Sequence, residues 1–289
     1  MHERQKDKSV ARQLNGGAAT LALSVLCDSA LEHYRGSFQN RAMYVPLAVA
    51  SLSLGTNLVA AVRPATKSRS GADLVHALTG LTGIAGLCFH AYNIGKRPGG
   101  ISWLNLFHAA PIGAPAALCL AALLGRAAET VGDGAPDAAS SDLAAGRLLA
   151  AISSLGIGGT VGEAALLHFR GAYHNPAMML PVGLPPLASL ALGAQALHPS
   201  RSGGALARWL LKLTAALGFA GVGFHAFGIA RCMGGWRNWS QNLLNGPPLP
   251  APPSFTGLAL AGLAALSLME KQSQKQLQKQ RVEKERRDG

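Results

Sequence analysis

The chain is short of charge, short of cysteine and empty of several compact chemical motifs. Charged residues are 14% of 289, against about 25% in an average soluble domain. Hydrophobic residues reach 49%, which excludes a disordered chain, since disorder needs low hydrophobicity and high charge. Four scattered cysteines exclude a disulfide scaffold. No cysteine pair has metal spacing, no Cys-x-x-Cys-His attaches a haem covalently, and no Gly-rich loop cradles phosphate.

What the chain does have is long apolar runs. A membrane span needs about 20 mostly apolar residues. Eight such runs are predicted, at 14–34, 43–62, 74–95, 112–128, 145–168, 177–197, 209–230 and 252–269. The fourth and eighth begin in Pro-rich stretches. The charge stripe of a soluble amphipathic helix is missing from 43–62 and 209–230, Lys212 apart. The fold class is therefore an all-α integral membrane protein. The polar, basic first 13 residues lead into a run with no small-x-small cleavage site before Asp28, so that run reads as a retained first helix.

Nineteen of the 26 Lys and Arg residues fall on the side of the two chain ends. Positive charge marks the cytoplasm, so both termini are expected on the cytoplasmic side of a bacterial inner membrane. The net charge of +12 is then mostly topology, and nucleic acid is not an expected partner. The bilayer is, and the basic tail can touch its anionic lipids.

Shifted by 135 residues, the chain matches itself. Asp28 meets Glu163, His33 meets His168, and Arg35-Gly36 meets Arg170-Gly171. Phe89-His90-Ala91 meets Phe224-His225-Ala226, and Lys96 meets Arg231. A two-residue insertion then aligns Asn105, Pro111 and Pro115 with Asn242, Pro248 and Pro252. Chance likeness between apolar helices matches Leu and Ala, not His and Arg. Two tandem four-helix repeats are expected, in one orientation, about an axis along the membrane normal. The expected divisions are a repeat at 1–131, a linker at 132–143, a second repeat at 144–269 and a basic tail at 270–289.

Polar groups inside a bilayer need a partner or a function. His33 and His90 fall at similar depth near the outer ends of spans 1 and 3, and His168 and His225 repeat the placement. Two histidines on alternate helices suit bis-imidazole ligation of a b-type haem, giving two haems per chain. Gly83 and Gly86, with Gly218 and Gly221, share the faces of His90 and His225 and can make room for the plate. Arg35, Lys96, Arg170 and Arg231 are candidate partners of its propionates. The bland readings are helix–helix hydrogen bonds for the histidines, ordinary small-residue packing for the glycines, and lipid headgroup contacts for the cations. Met43 and Met178 read as packing, and His76 and His198 as interfacial.

Asp28 and Glu163 precede their histidines by five residues and point about 140° away from them. Asp28 shares a stripe with Arg35, which makes a structural ion pair the bland reading. The functional reading is a proton carrier beside a quinone or substrate. The loop pattern Arg-Gly-x-x-x-Asn-x-Ala-Met puts Gly and Asn where turns need them.

The plan of two four-helix halves, each with a histidine pair, resembles that of haem A synthases. The resemblance is architectural, since Glu32-His33-Tyr34-Arg35 departs from their Glu-x-x-His-Arg. The favoured function is redox: electrons pass between a periplasmic partner and quinone through haems in one leaflet. The alternatives are a proton-coupled transporter or lipid-handling protein, a non-catalytic anchor subunit, and a metal site shared by all four histidines.

Overall fold

The computed structural model describes residues 2–63, 70–108, 112–133 and 138–288. The helices are α1 (His2–Arg35), α2 (Val45–Val62), α3 (Ser70–Gly95), α4 (Trp103–Phe107), α5 (Gly113–Asp133), α6 (Ala138–Arg170), α7 (Leu180–Leu197), α8 (Arg201–Ala230), α9 (Trp239–Asn245) and α10 (Pro253–Asp288). Among the described residues eight helices are long and apolar enough to cross a membrane. They coincide with the eight expected runs, and the chain is a multi-pass all-α membrane protein. Helix is forced here because lipid offers no partner to a backbone N–H or C=O. Proline sits in the first turn of α2 and at the start of α10, where its missing N–H costs nothing.

Helix α1 packs on α2 and α5, and α3 packs on the same two. Helix α6 packs on α7 and α10, and α8 packs on the same two. Each set of four therefore closes into a ring in the same order, with α1 opposite α3 and α6 opposite α8. The sets join mainly through α1 against α10, while α5 and α6 touch far less. The reason lies in two glycines. A Cβ on Gly17 would stand 2.7 Å from the Gly257 carbonyl oxygen, and one on Gly257 would stand 2.9 Å from that of Gly17. The backbones touch there, as small residues allow in membranes. One step deeper Ser24 Oγ donates to the Pro250 carbonyl and meets Ser254 Oγ at 2.9 Å.

Lys271 pairs with Asp7, so the first and last helices bring both chain ends to one end of the bundle, called here the tail end. Residues 270–288 continue α10 as helix, and Gln272 is buried against the bundle. Helix α6 begins at Ala138, inside the stretch read as a linker from 132 to 143; 134–137 lie outside the described residues. Helices α4 and α9 are additions to the sequence reading. They lie in the loops at the opposite end, with Trp103 and Trp239 exposed as interfacial aromatics are.

Replacing Gly17 with Leu sets a side chain against backbone, which cannot step aside. We expect a loss of about 1–3 kcal/mol, read as a lower thermal midpoint in detergent. Gly55→Ala meets nothing within 4 Å and should leave the midpoint unchanged. Equal behaviour of the two variants contradicts the α1–α10 crossing.

Candidate functional site

Helices α1 and α6 run away from the tail end, and so do α3 and α8. His33 and His168 stand two residues before the ends of α1 and α6, and His90 and His225 five before the ends of α3 and α8. All four side chains are half-buried at the end opposite the tail, the histidine end.

The local geometry of His33 follows from the loop behind it. After α1 the chain turns through Ser37 and Phe38 at φ 57° and 46°, a left-handed conformation that costs a non-glycine residue about 1–3 kcal/mol. Asn40 then caps the short helical turn Arg41–Tyr44, its Oδ1 accepting from the Ala42 N–H at 2.9 Å. The turn brings the Met43 carbonyl 2.7 Å from His33 Nδ1, and Phe38 edge-on to the imidazole at 6.2 Å. The loop after α6 has the same form. Ala172 and Tyr173 take φ 55° and 46°, and Asn175 caps Pro176–Met179. The Met178 carbonyl lies 2.8 Å from His168 Nδ1, and Tyr173 stands edge-on to the ring at 6.1 Å. His225 Nδ1 lies 2.7 Å from the Pro248 carbonyl. His90 is also partnered.

A carbonyl oxygen only accepts. Nδ1 of His33, His168 and His225 must therefore carry a proton, and in the neutral imidazole Nε2 is then the nitrogen with the lone pair. His168 and His225, on opposite helices of one ring, lie within electrostatic range of each other. Among the described residues no three His, Cys, Asp or Glu side chains group to hold a metal ion. An axial pair for one haem needs only two.

Several sequence expectations need correction. The glycines beside the histidines do not open a slot. A Cβ on Gly83 would meet Pro115 O at 2.8 Å, and one on Gly86 would meet Pro115 Cβ at 2.9 Å. Gly218 and Gly221 press on Pro252 in the same way, so all four serve close packing of α3 on α5 and α8 on α10. The loop glycines Gly36 and Gly171 do not take the left-handed turn; they leave room for the methyls of Met43 and Met178. Asn40 and Asn175 do cap, as expected.

The cations are spoken for in part. Arg35 pairs with Glu32 and donates to the Leu244 carbonyl of α9, so Glu32 takes the ion-pair place expected of Asp28. Arg170 lies over the Phe107 ring of α4 at 5.0 Å. Each of these arginines reaches from one ring of helices to the other. Lys96 and Arg231 lie over Tyr92 and Phe227 of their own helices. Asp28 and Glu163 lie within electrostatic range of each other, and Glu163 accepts from the Gly113 N–H at the start of α5.

His76, read from sequence as interfacial, is 4% exposed. The signal was present in the self-comparison, where Asn57 and His76 stand opposite Leu192 and Leu211. No family model matches the chain, and no curated protein or solved structure does either.

The ring orientation is directly testable. In protein labelled with ¹⁵N-histidine, we expect Nδ1 of His33, His168 and His225 to be protonated while no metal is added. A bare Nδ1 in any of these rings contradicts the carbonyl clamp.

Proposed function

We propose that the chain is an inner-membrane redox protein built as two tandem four-helix repeats about an axis along the membrane normal. Both termini lie in the cytoplasm. Each repeat holds one b-type haem near the periplasmic face, His33 with His90 and His168 with His225. Electrons pass between a periplasmic redox partner and quinone.

The observation that carries this reading is the carbonyl clamp on Nδ1. Metal-ligating histidines nearly always donate their other ring N–H to a carbonyl or carboxylate, which fixes the tautomer and aims Nε2. The donor set fits haem iron, which takes axial imidazole nitrogen. When bound, the haem supplies one-electron transfer between its ferric and ferrous states. The protein's own part is orientation. The strained loops set Phe38 and Tyr173 against the rings of His33 and His168, and the carbonyls stop those rings turning. Room for the group must come from the space between opposite helices, since the glycine faces are closed. Support for the repeat comes from turns, caps and ring contacts that recur at a spacing of 135 residues.

Arg35, Lys96, Arg170 and Arg231 are exposed at the same end and are the cations available to propionates. Asp28 and Glu163 serve as proton carriers to quinone. Their approach to each other between the two rings also favours a second reading, a proton-coupled transporter with its site between the repeats. That reading expects pH-driven uptake to be lost in Asp28→Asn.

The test is an absorption spectrum of detergent-purified protein, oxidised and reduced. We expect a Soret band with the sharp reduced bands of six-coordinate haem, and loss of one site's share of haem in His90→Ala and again in His225→Ala. Protein purified from haem-sufficient cells with no Soret band and no extractable haem overturns the redox reading.

A further inference from the structure

The two rings of helices differ in one buried contact at the tail end. Asn57 of α2, His76 of α3 and Gly125 of α5 meet at one point: a Cβ on Gly125 would stand 2.7 Å from both His76 Nδ1 and Asn57 Oδ1. At the corresponding point in the other ring, Gly262 of α10 faces Leu192 and Leu211, with distances of 2.8 and 3.1 Å. The same three-helix contact is thus made of leucine in one ring and of imidazole and amide in the other.

The polar version is deeply buried. Asn57 and Ser53 are fully covered, and His76 nearly so. Asn57 Nδ2 donates to the Ser53 carbonyl at 2.8 Å. Among the described residues Asn57 Oδ1 and His76 Nδ1 have no hydrogen-bond partner, although both are aimed at the same point. The other edge of the imidazole faces outward along a chain of charge. His76 Nε2 lies 3.8 Å from Glu129 Oε1, Glu129 lies 3.8 Å from Arg126, and Arg126 pairs with Asp73. Side-chain exposure falls from 55% at Arg126 and 38% at Asp73 to 16% at Glu129 and 3% at His76. The second ring has Leu263 and Leu266 where Arg126 and Glu129 stand.

Leucine fits this contact, so packing does not require His or Asn. An ionisable group held inside a span without a structural need marks a function. Imidazole is suited to one task above others: it takes a proton at one nitrogen and gives it up at the other. We propose that Glu129, His76 and Asn57 form a proton-transfer site fed from the tail end of the first ring. A proton enters on Glu129. The carboxyl O–H bond breaks as Nε2–H forms, directly after a small side-chain rotation or through one water. This leaves a carboxylate beside an imidazolium, whose Nδ1–H faces Asn57 Oδ1; breaking the Nε2–H bond returns the proton to the Glu129 carboxylate and restores neutral imidazole. Among the described residues the charged groups facing His76 are Glu129 and Arg126 from α5 and Asp73 from α3 itself. Helix α2 contributes the uncharged Asn57, held by Ser53. The site stands without any haem, so it can succeed or fail separately from the redox reading.

The test uses the full chain in lipid nanodiscs, followed by infrared difference spectra and ¹⁵N-histidine resonances as bath pH is stepped. We expect His76 to change protonation state together with a carboxyl band, and both changes to disappear in Glu129→Gln. The double variant Asn57→Leu, His76→Leu copies the second ring's contact. We expect it to fold with an unchanged or higher thermal midpoint and to lack the titration. A His76 that holds one protonation state between about pH 5 and 9, or that titrates unchanged in Glu129→Gln, overturns the proposal. A double variant that melts well below the parent also counts against it, since the cluster would then be structural.

Discussion

An imidazole N–H near the end of a membrane helix has little water to donate to, so it must find an acceptor in the protein. Here the acceptor is a backbone carbonyl on the chain that follows: Met43 for His33, Met178 for His168 and Pro248 for His225. That bond does two things at once. It ties the helix end to the loop or the next span, and it decides which ring nitrogen keeps a lone pair. The left-handed turns at Ser37–Phe38 and Ala172–Tyr173 make sense as the strain needed to bring the first two carbonyls to their rings. The histidine end of the molecule is organised around this bond.

The two ends of the bundle follow different rules. At the histidine end the local geometry of one ring of helices is found again in the other, down to the edge-on aromatic ring. Toward the tail end the likeness fades. Gly17 and Gly257 let α1 and α10 touch backbone to backbone, whereas Ile152 and Leu120 stand at the matching positions of α6 and α5, which touch far less. Asn57 and His76 replace leucines, and charge leads to them from the exposed face.

Much of this was legible in the sequence, for physical reasons. Lipid demands long apolar helices, so all eight spans could be read from apolar runs alone. Histidine and arginine are rare enough in such runs that their recurrence marked the histidine end. The misreadings share a cause: a helix face can be read from spacing, but what it faces cannot. Gly83 and Gly218 lie on the same side as His90 and His225, yet that side meets proline backbone rather than open space. Glu32 is one turn nearer Arg35 than Asp28 and takes the ion pair. The short helices α4 and α9 span five and seven residues, too few for a period to show. His76 and Asn57 carried a signal only as mismatches in the repeat, and their meaning depended on Gly125 from a third helix.

The most direct measurement is an experimental density map of the protein taken from its native membrane without haem removal. Iron–imidazole bonds near 2 Å place two axial nitrogens about 4 Å apart. We expect Nε2 of His168 and His225, and of His33 and His90, at that separation, with planar density between them. Rings in contact, or a gap filled by side chains, contradict a haem in either half.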